Sequence, residues 1–452
     1  MRYLISAFIV LLSINQSVMT LEEVRAVWVP AWELTSPEKI EEVVDDVASA
    51  HFNLIFAEVR YRADCLYTPN RIYDEFPNFE PRSTFLENSP TEFDPLEFIL
   101  EYAHKKGIRV HAWVTTFVAT RKDFKESELP FPSEWFTLNE AGSPYDESRQ
   151  CWLDPALPQV WNYLIGIFSD IVMNYPVDGF HLDYLRYPSD GFGHNPSADY
   201  IFTEETGFEP KKNKDMFRVW RAGRITKFLS ELEQSLHRIR PDLPISAAVI
   251  GGTVGAYEEF GQRWGEWLSS GLVDFVVPMC YADNIDSIEG RLEEYKRVAD
   301  EKRVIVGIGV LERGNGRVDT VEQVTERIKS IRARGFNGYS VFSHETLTKC
   351  DEGVFGMLSE GVNNLVVDVP DLRVIAMERL PVVAISHGGE RYYSIRYDIK
   401  STQRYAILKA KELQYETDNK AFIKLEDGWY NIYIGLFNKK GEAERLAGLI
   451  KR

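Results

Sequence analysis

The chain has 452 residues, 44% hydrophobic and 27% charged, which excludes a disordered chain, a collagen-like fibre and a disulfide-stapled miniprotein. With 52 Lys and Arg against 69 Asp and Glu the net charge is −17, which argues against a groove built to hold nucleic-acid phosphates. The charge is uneven: residues 389–452 carry 13 basic and 9 acidic residues, whereas residues 1–388 carry 39 and 60, so the last segment is a compositionally different piece.

In chain order, Arg2 precedes an apolar run, Tyr3 to Ile14, that is too short to span a bilayer and is followed by small or polar residues. That is the anatomy of a secretory signal, expected over residues 1–20, and it places the rest outside the cytoplasm as a secreted, periplasmic or envelope-associated protein. Membrane attachment is expected only if this segment stays uncleaved.

Eight strand-then-helix units follow. Strands are expected at Val24 to Trp32, Asn53 to Arg62, Arg109 to Phe117, Asp178 to Tyr184, Pro244 to Ile250, Asp274 to Tyr281, Arg303 to Val310 and Gly338 to Phe342. Helices follow at Pro37 to Ala50, Pro95 to Lys106, Pro155 to Asn174, Lys214 to Ile239, Arg263 to Ser270, Ile285 to Glu301, Thr320 to Arg334 and Val354 to Gly361. Non-alternating apolar strands specify a parallel sheet buried on both faces, and eight units close it into a (β/α)8 barrel over residues 21–361; an open doubly wound sheet is the other option. Long segments after strands two, three and four put the insertions on the strand C-terminal side, where such barrels carry their sites.

Residues 362–388 read as a connector, marked by Pro370, Pro381 and the pair Gly388 and Gly389 at its end. Beyond it Tyr392, Tyr393, Ile395, Ala406 and Ala410 recur 37 positions later as Trp429, Tyr430, Ile432, Ala443 and Ala447, so residues 389–452 are expected to form a small α+β domain of two βα halves, with Ala421 to Leu425 as an extra strand.

Inward side chains near the strand ends are the candidates for chemistry. On strand four, His181 and Asp183 share one face and Phe180 and Leu182 the other; a buried imidazole and carboxylate are costly unless paired or functional, or else they brace Arg186. Strand two offers Glu58 and Arg60 as an ion pair or a substrate clamp, strand three His111 and Trp113, and strand six Tyr281 and Asp283. Glu312 after strand seven, and His344 and Glu345 after strand eight, complete the ring. Asp183, Asp283 and Glu312 are the catalytic candidates; Glu58, Arg60, Trp113, His181, Arg186, Tyr187, Tyr281 and His344 are the substrate contacts. Carboxyls around one rim, with Tyr61, Tyr67, Trp135 and Trp152 in the loops, suit glycoside cleavage: one carboxyl protonates the leaving oxygen, another stabilises the developing cation, and aromatic faces stack on sugar rings. No metal or cofactor is expected, because the cysteines Cys65, Cys151, Cys280 and Cys350 are dispersed and no His pair has ligand spacing.

The segments Arg25-Ala-Val-Trp-Val-Pro30, Asn53-Leu-Ile-Phe-Ala-Glu-Val-Arg60 and Asp178-Gly-Phe-His-Leu-Asp-Tyr-Leu-Arg-Tyr-Pro188 resemble the glycosyl-hydrolase-like 10 family, extracytoplasmic barrels of which some act on peptidoglycan glycan strands. The resemblance implies a sugar-cleaving barrel with Asp183 central. Trp429-Tyr-Asn-Ile-Tyr-Ile-Gly-Leu-Phe437 resembles the second half of a SPOR domain, which binds peptidoglycan strands stripped of stem peptides; Arg396-Tyr-Asp-Ile-Lys400 departs from the usual Gln-x-Gly-x-Phe of the first half. That resemblance implies glycan contacts at Tyr393, Arg396, Trp429 and Tyr433. Together the two imply a hydrolase tethered to its own polymer, where a second site raises the local substrate concentration. Two rival readings are a barrel that binds glycan without turnover and a metal-dependent hydrolase or deacetylase using His111, His181 and Asp183.

Overall fold

The computed structural model describes residues 22–120, 125–282, 284–310, 318–372, 382–387, 390–398, 419–426, 429–440 and 442–443. Among them, β1 (Val24–Val29), β2 (Leu54–Arg60), β3 (Arg109–Thr115), β4 (Gly179–Asp183), β5 (Ile245–Ile250), β6 (Phe275–Met279), β7 (Val306–Gly309) and β8 (Gly338–Phe342) pair in parallel in that order and close back from β8 to β1. The expected barrel is therefore present. Strands buried along their whole length, such as Val24–Val29 and Leu54–Arg60, explain why their sequences do not alternate.

Two apolar layers result. Outward strand residues such as Val27, Ile55, Phe180 and Leu182 pack against the helices, while Trp28, Leu54, Phe56, Trp113, Phe275 and Val277 fill the barrel. Large inward rings require small residues opposite. A Cβ on Gly307 would lie 2.9 Å from the Trp28 ring, and one on Gly179 would lie 2.3 Å from the ring of His111.

Helices begin where the caps dictate. Ser36 and Asp94 each accept a backbone N–H three residues on, and each is followed by Pro at the first helical position. The long helix Lys214–Ile239 runs over the expected residues. The segment after β4, expected as loop, contains a further helix, Pro196–Thr206, capped by Asn195 and closed by Gly207 at φ 73°. The four cysteines are free thiols.

The stretch expected as connector begins as part of the barrel. Arg25 donates to the Leu365 carbonyl at 2.6 Å, the Asn53 amide to the Val367 carbonyl at 3.2 Å, and the Glu23 N–H to the Asp368 carbonyl. Val369 and Leu372 pack on the interior cluster, so residues 363–372 floor the N-terminal end of the barrel.

The C-terminal sheet is antiparallel in the order β11-β12-β10-β9, with β9 (Val382–His387), β10 (Glu390–Asp398), β11 (Ala421–Glu426) and β12 (Trp429–Phe437). Strand β9 falls inside the expected connector. The 37-residue offset places Ala384 on Ala421, so the repeat carries the hairpin β9-β10 onto β11-β12. Each half therefore opens with a hairpin; the extra strand expected at Ala421 to Leu425 is present as β11, whereas its counterpart β9 in the first half was not expected. Ile432, Tyr433 and Ile434 are buried, and Ser394 donates to the Ile434 carbonyl. Tyr433 is thus a core residue of the sheet, with Lys424 Nζ 5.2 Å from its ring, and cannot present a face to glycan. Tyr393 is half-buried; the side chains of Arg396 and Trp429 lie outside the described residues, as do residues 1–21.

Candidate active site

Two carboxyls meet at the C-terminal mouth. Glu58 ends the inward row of β2 beside Trp113 of β3, and Asp183 ends that of β4 beside Thr115. Glu58 is almost fully buried and its Oε2 accepts the Ala31 N–H at 3.1 Å. Burial holds its carboxyl well above the usual range, the Ala31 bond opposes this, and the Asp183 charge adds to the rise. Asp183 accepts the Tyr184 N–H at 2.6 Å on Oδ1 and the Trp113 indole N–H at 3.3 Å on Oδ2. Burial raises its carboxyl to about 6, while those bonds and the Arg186 charge pull it down. Trp113 itself is buried and acts on Asp183 through its indole edge, so it offers no ring face to a sugar.

Beyond both carboxyls the backbone turns through the left-handed region at non-glycine residues, Arg62 at φ 66° and Tyr184 at φ 51°. Such strain gathers at functional sites, because surrounding contacts must hold it in place. Here the Arg62 N–H donates to Thr115 Oγ1 at 2.7 Å, and Tyr184 is held by its bond to Asp183.

The mouth is lined with rings. Tyr281 stacks on Phe342 at 5.7 Å; the residue is 38% exposed, while its hydroxyl is held well above the usual phenol range by burial and by the Asp183 charge. Trp32, 37% exposed, packs edge-on to Tyr61 and donates its indole N–H to Glu345 at 2.8 Å. Trp152, Tyr184 and Phe260 surround the Arg186 guanidinium at 5.1, 4.9 and 5.0 Å from their centroids. Of these, Trp32, Arg62, Phe260 and Phe342 were not singled out from the sequence; inward parity with Ser340 on β8 was the available signal for Phe342.

Four expected substrate contacts lie elsewhere. His181 sits one inward layer below Asp183, level with Trp113. Its Nε2 accepts from the Trp28 indole at 3.1 Å, which puts the proton on Nδ1 to donate to Ser246 Oγ at 2.8 Å. Burial keeps the ring neutral, and it stacks on Phe56 at 4.0 Å. It is a satisfied core histidine. Arg60 does not share the face of Glu58, because a bulge between them in the β2-β3 register turns it outward. There it is fully buried against Glu80 at 2.6 Å and over the Phe168 ring, and Tyr163 also donates to Glu80. Tyr187 is buried in the helical layer with Arg221 over its ring. His344 joins Glu33 at 2.6 Å to Asp46 at 3.3 Å; burial opposes its protonation, but these two bonds outweigh it and lift its pKa to about 9. Asp283 and Glu312 lie outside the described residues.

The metal reading loses its ligand set. Both ring nitrogens of His181 are committed, Nε2 to the Trp28 indole and Nδ1 to Ser246, which leaves no free lone pair for an ion, and His111, level with Gly179, lies two inward layers below Asp183. Among the described residues no group of three His, Cys, Asp or Glu could hold a metal.

The glycosyl hydrolase-like 10 family model matches residues 23–314. Relatives include glycosyl hydrolase DigH of Escherichia coli K12, 24% identical over 219 residues covering 42% of this chain and 46% of that protein. Glycosyl hydrolase YngK of Bacillus subtilis is 20% identical over 308 residues, 62% of this chain and 58% of that one. The chain thus spans about half the length of these relatives. Among solved structures the PgaB (BpsB) glycoside hydrolase domain of Bordetella bronchiseptica superposes with TM-score 0.59 at 13% identity, over 77% of this chain and 99% of that one. The catalytic domain of a Paenibacillus polymyxa β-amylase gives 0.52 at 13% identity, over 76% and 99%. At such identity these likenesses speak to the barrel alone, whereas the family match covers the strands that bear Glu58 and Asp183: the chain belongs to the glycosyl hydrolase-like 10 family.

Proposed function

We propose that the protein is an exported glycoside hydrolase that cleaves glycan strands, with peptidoglycan as the preferred polymer and the C-terminal SPOR-like module as its anchor. The observation that carries this reading is the pair of buried carboxyls at one mouth with different environments. Glu58, whose burial is opposed mainly by one backbone N–H, holds its proton to higher pH than an ordinary carboxyl and serves as the general acid toward the glycosidic oxygen. Asp183, with two donors and a nearby guanidinium, is ionised above about 6 and stabilises the cationic sugar or orients its neighbouring group. The Tyr281-Phe342 stack and the exposed Trp32 ring are surfaces on which sugar C–H faces pack. The choice of peptidoglycan among glycans rests on the resemblance of Trp429 to Phe437 to a SPOR domain and on the family resemblance of the barrel segments. Digestion of purified glycan strands followed by mass spectrometry of the products tests the proposal. New reducing ends with the native chain, absent with folded Asp183→Asn, are expected. Glycan that is bound and left uncut by the native chain would favour the non-catalytic reading.

A further inference from the structure

The acidic chain places two guanidinium groups at the mouth with no carboxylate paired to either among the described residues. Arg62 lies over the Tyr61 ring at 4.3 Å, and its Nε is buried without a hydrogen-bond partner. Arg186 is enclosed by the three rings of Trp152, Tyr184 and Phe260, and its Nε is likewise unpartnered. The contrast with Arg60 is instructive, since Glu80 takes up that guanidinium through both oxygens. Ring faces hold a guanidinium plane in position without neutralising it and without using its N–H donors, which point outward along its edge. The carboxylates whose fields reach Arg186 are Asp183 and Asp146, and both are committed elsewhere: Asp183 to Tyr184 and Trp113, Asp146 to the Trp152 indole and the Gln150 N–H at 2.8 Å each.

We propose that Arg186 is the receptor for a carboxylate carried by the sugar substrate, so that the mouth selects acidic sugar units over neutral ones. The inference rests on the glycan-hydrolase reading and adds to it the chemical class of the unit bound beside Asp183. A planar fork presented edge-on matches a carboxylate through two parallel N–H···O bonds, a geometry that a neutral amide or hydroxymethyl group cannot reproduce. The competing role is purely electrostatic: Arg186 would then serve only to keep Asp183 ionised, and the substrate's own charge would be irrelevant.

Binding and kinetics on the full chain separate the two. The probes are soluble glycan strands with free sugar carboxylates and the same strands after conversion of those carboxylates to methylamides. In an Asp183→Asn background, where turnover is blocked, calorimetry should show the acid form binding at least about tenfold tighter than the amide form, and adding Arg186→Gln should erase the difference. In the otherwise native chain, at a pH well above the acidic limb of the profile, Arg186→Gln should raise KM for the acid form about tenfold or more relative to the amide form, beyond the upward shift of that limb which loss of its charge gives both forms, while Arg186→Lys, which keeps charge but not the fork, recovers part of the loss. Equal affinity for both forms would overturn the proposal. So would an Arg186→Gln that weakens both equally, or one that only moves the acidic limb of the pH-rate profile upward. A native chain that cuts neither probe but still prefers the acid form would sink the hydrolase reading and leave the carboxylate receptor standing.

Discussion

At the scale of single residues, the burial that suits Asp183 to its proposed role also makes it costly to fold. Its carboxyl, raised to about 6, binds a proton that the unfolded chain has already released, so this group's contribution declines as pH rises from about 4 through 6. Asp183→Asn should therefore leave stability at pH 7 unchanged or raise it by at most about 3 kcal/mol, with Tm unchanged or higher, while lowering kcat by on the order of 10² or more. Thermal unfolding and glycan digestion on one preparation measure both; a lower Tm with full activity would mark Asp183 as a brace. His344 has the opposite sign. Its pKa is raised to about 9, so its contribution is complete below about 6.5 and disappears as pH rises through 9. His344→Gln should cost about 1–3 kcal/mol in denaturant melts at pH 6 and almost nothing at pH 10. An equal loss at both pH values would mean that Glu33 and Asp46 do not share its proton.

At the scale of elements, strand parity set the reading of the site and one irregularity defeated it. Asp183 and Tyr281 were legible as mouth residues because β4 runs without interruption and Tyr281 lies two residues past the end of β6, in step with the alternation of Met279. Arg60 was not, because alternation cannot foresee the bulge that follows Glu58. His181 was placed on the right face but at the wrong height: its partners Trp28 and Ser246 come from strands distant in sequence. The helix Pro196–Thr206 had its cap residues in plain view, Asn195 and Gly207, yet its apolar face is short, and the periodicity that revealed the other helices is weak there. The Arg60-Glu80 pair fastens the segment after β2 to the barrel from outside. Glu80→Gln leaves a buried guanidinium without its countercharge and should cost about 3–5 kcal/mol in denaturant melts. Gly307→Ala tests the interior in the same assay: a methyl 2.9 Å from Trp28 should cost about 1–3 kcal/mol through displaced rings.

At the scale of the whole molecule, the barrel was legible from eight repeated units, whereas its floor was not. Residues 363–372 have no periodicity of their own and owe their place to partners such as Arg25, Asn53, Tyr339 and Arg332. A chain ending at 361 should lose several kcal/mol, with a fall in Tm on the order of 10 °C by calorimetry, whereas one ending at 372 should melt like the barrel of the full chain. The floor also decides where the tail departs. The path to β9 begins at Leu372, beneath the barrel and on the face opposite Glu58 and Asp183, and the nine residues 373–381 span at most about 30 Å. On the proposed reading, a glycan strand held by the C-terminal sheet is tethered through the floor of the barrel, at the end away from Glu58 and Asp183. Such an enzyme would cut neighbouring strands in preference to the one that holds it, and a longer flexible tether should broaden its reach and speed release from insoluble walls, while leaving the rate on short soluble strands unchanged.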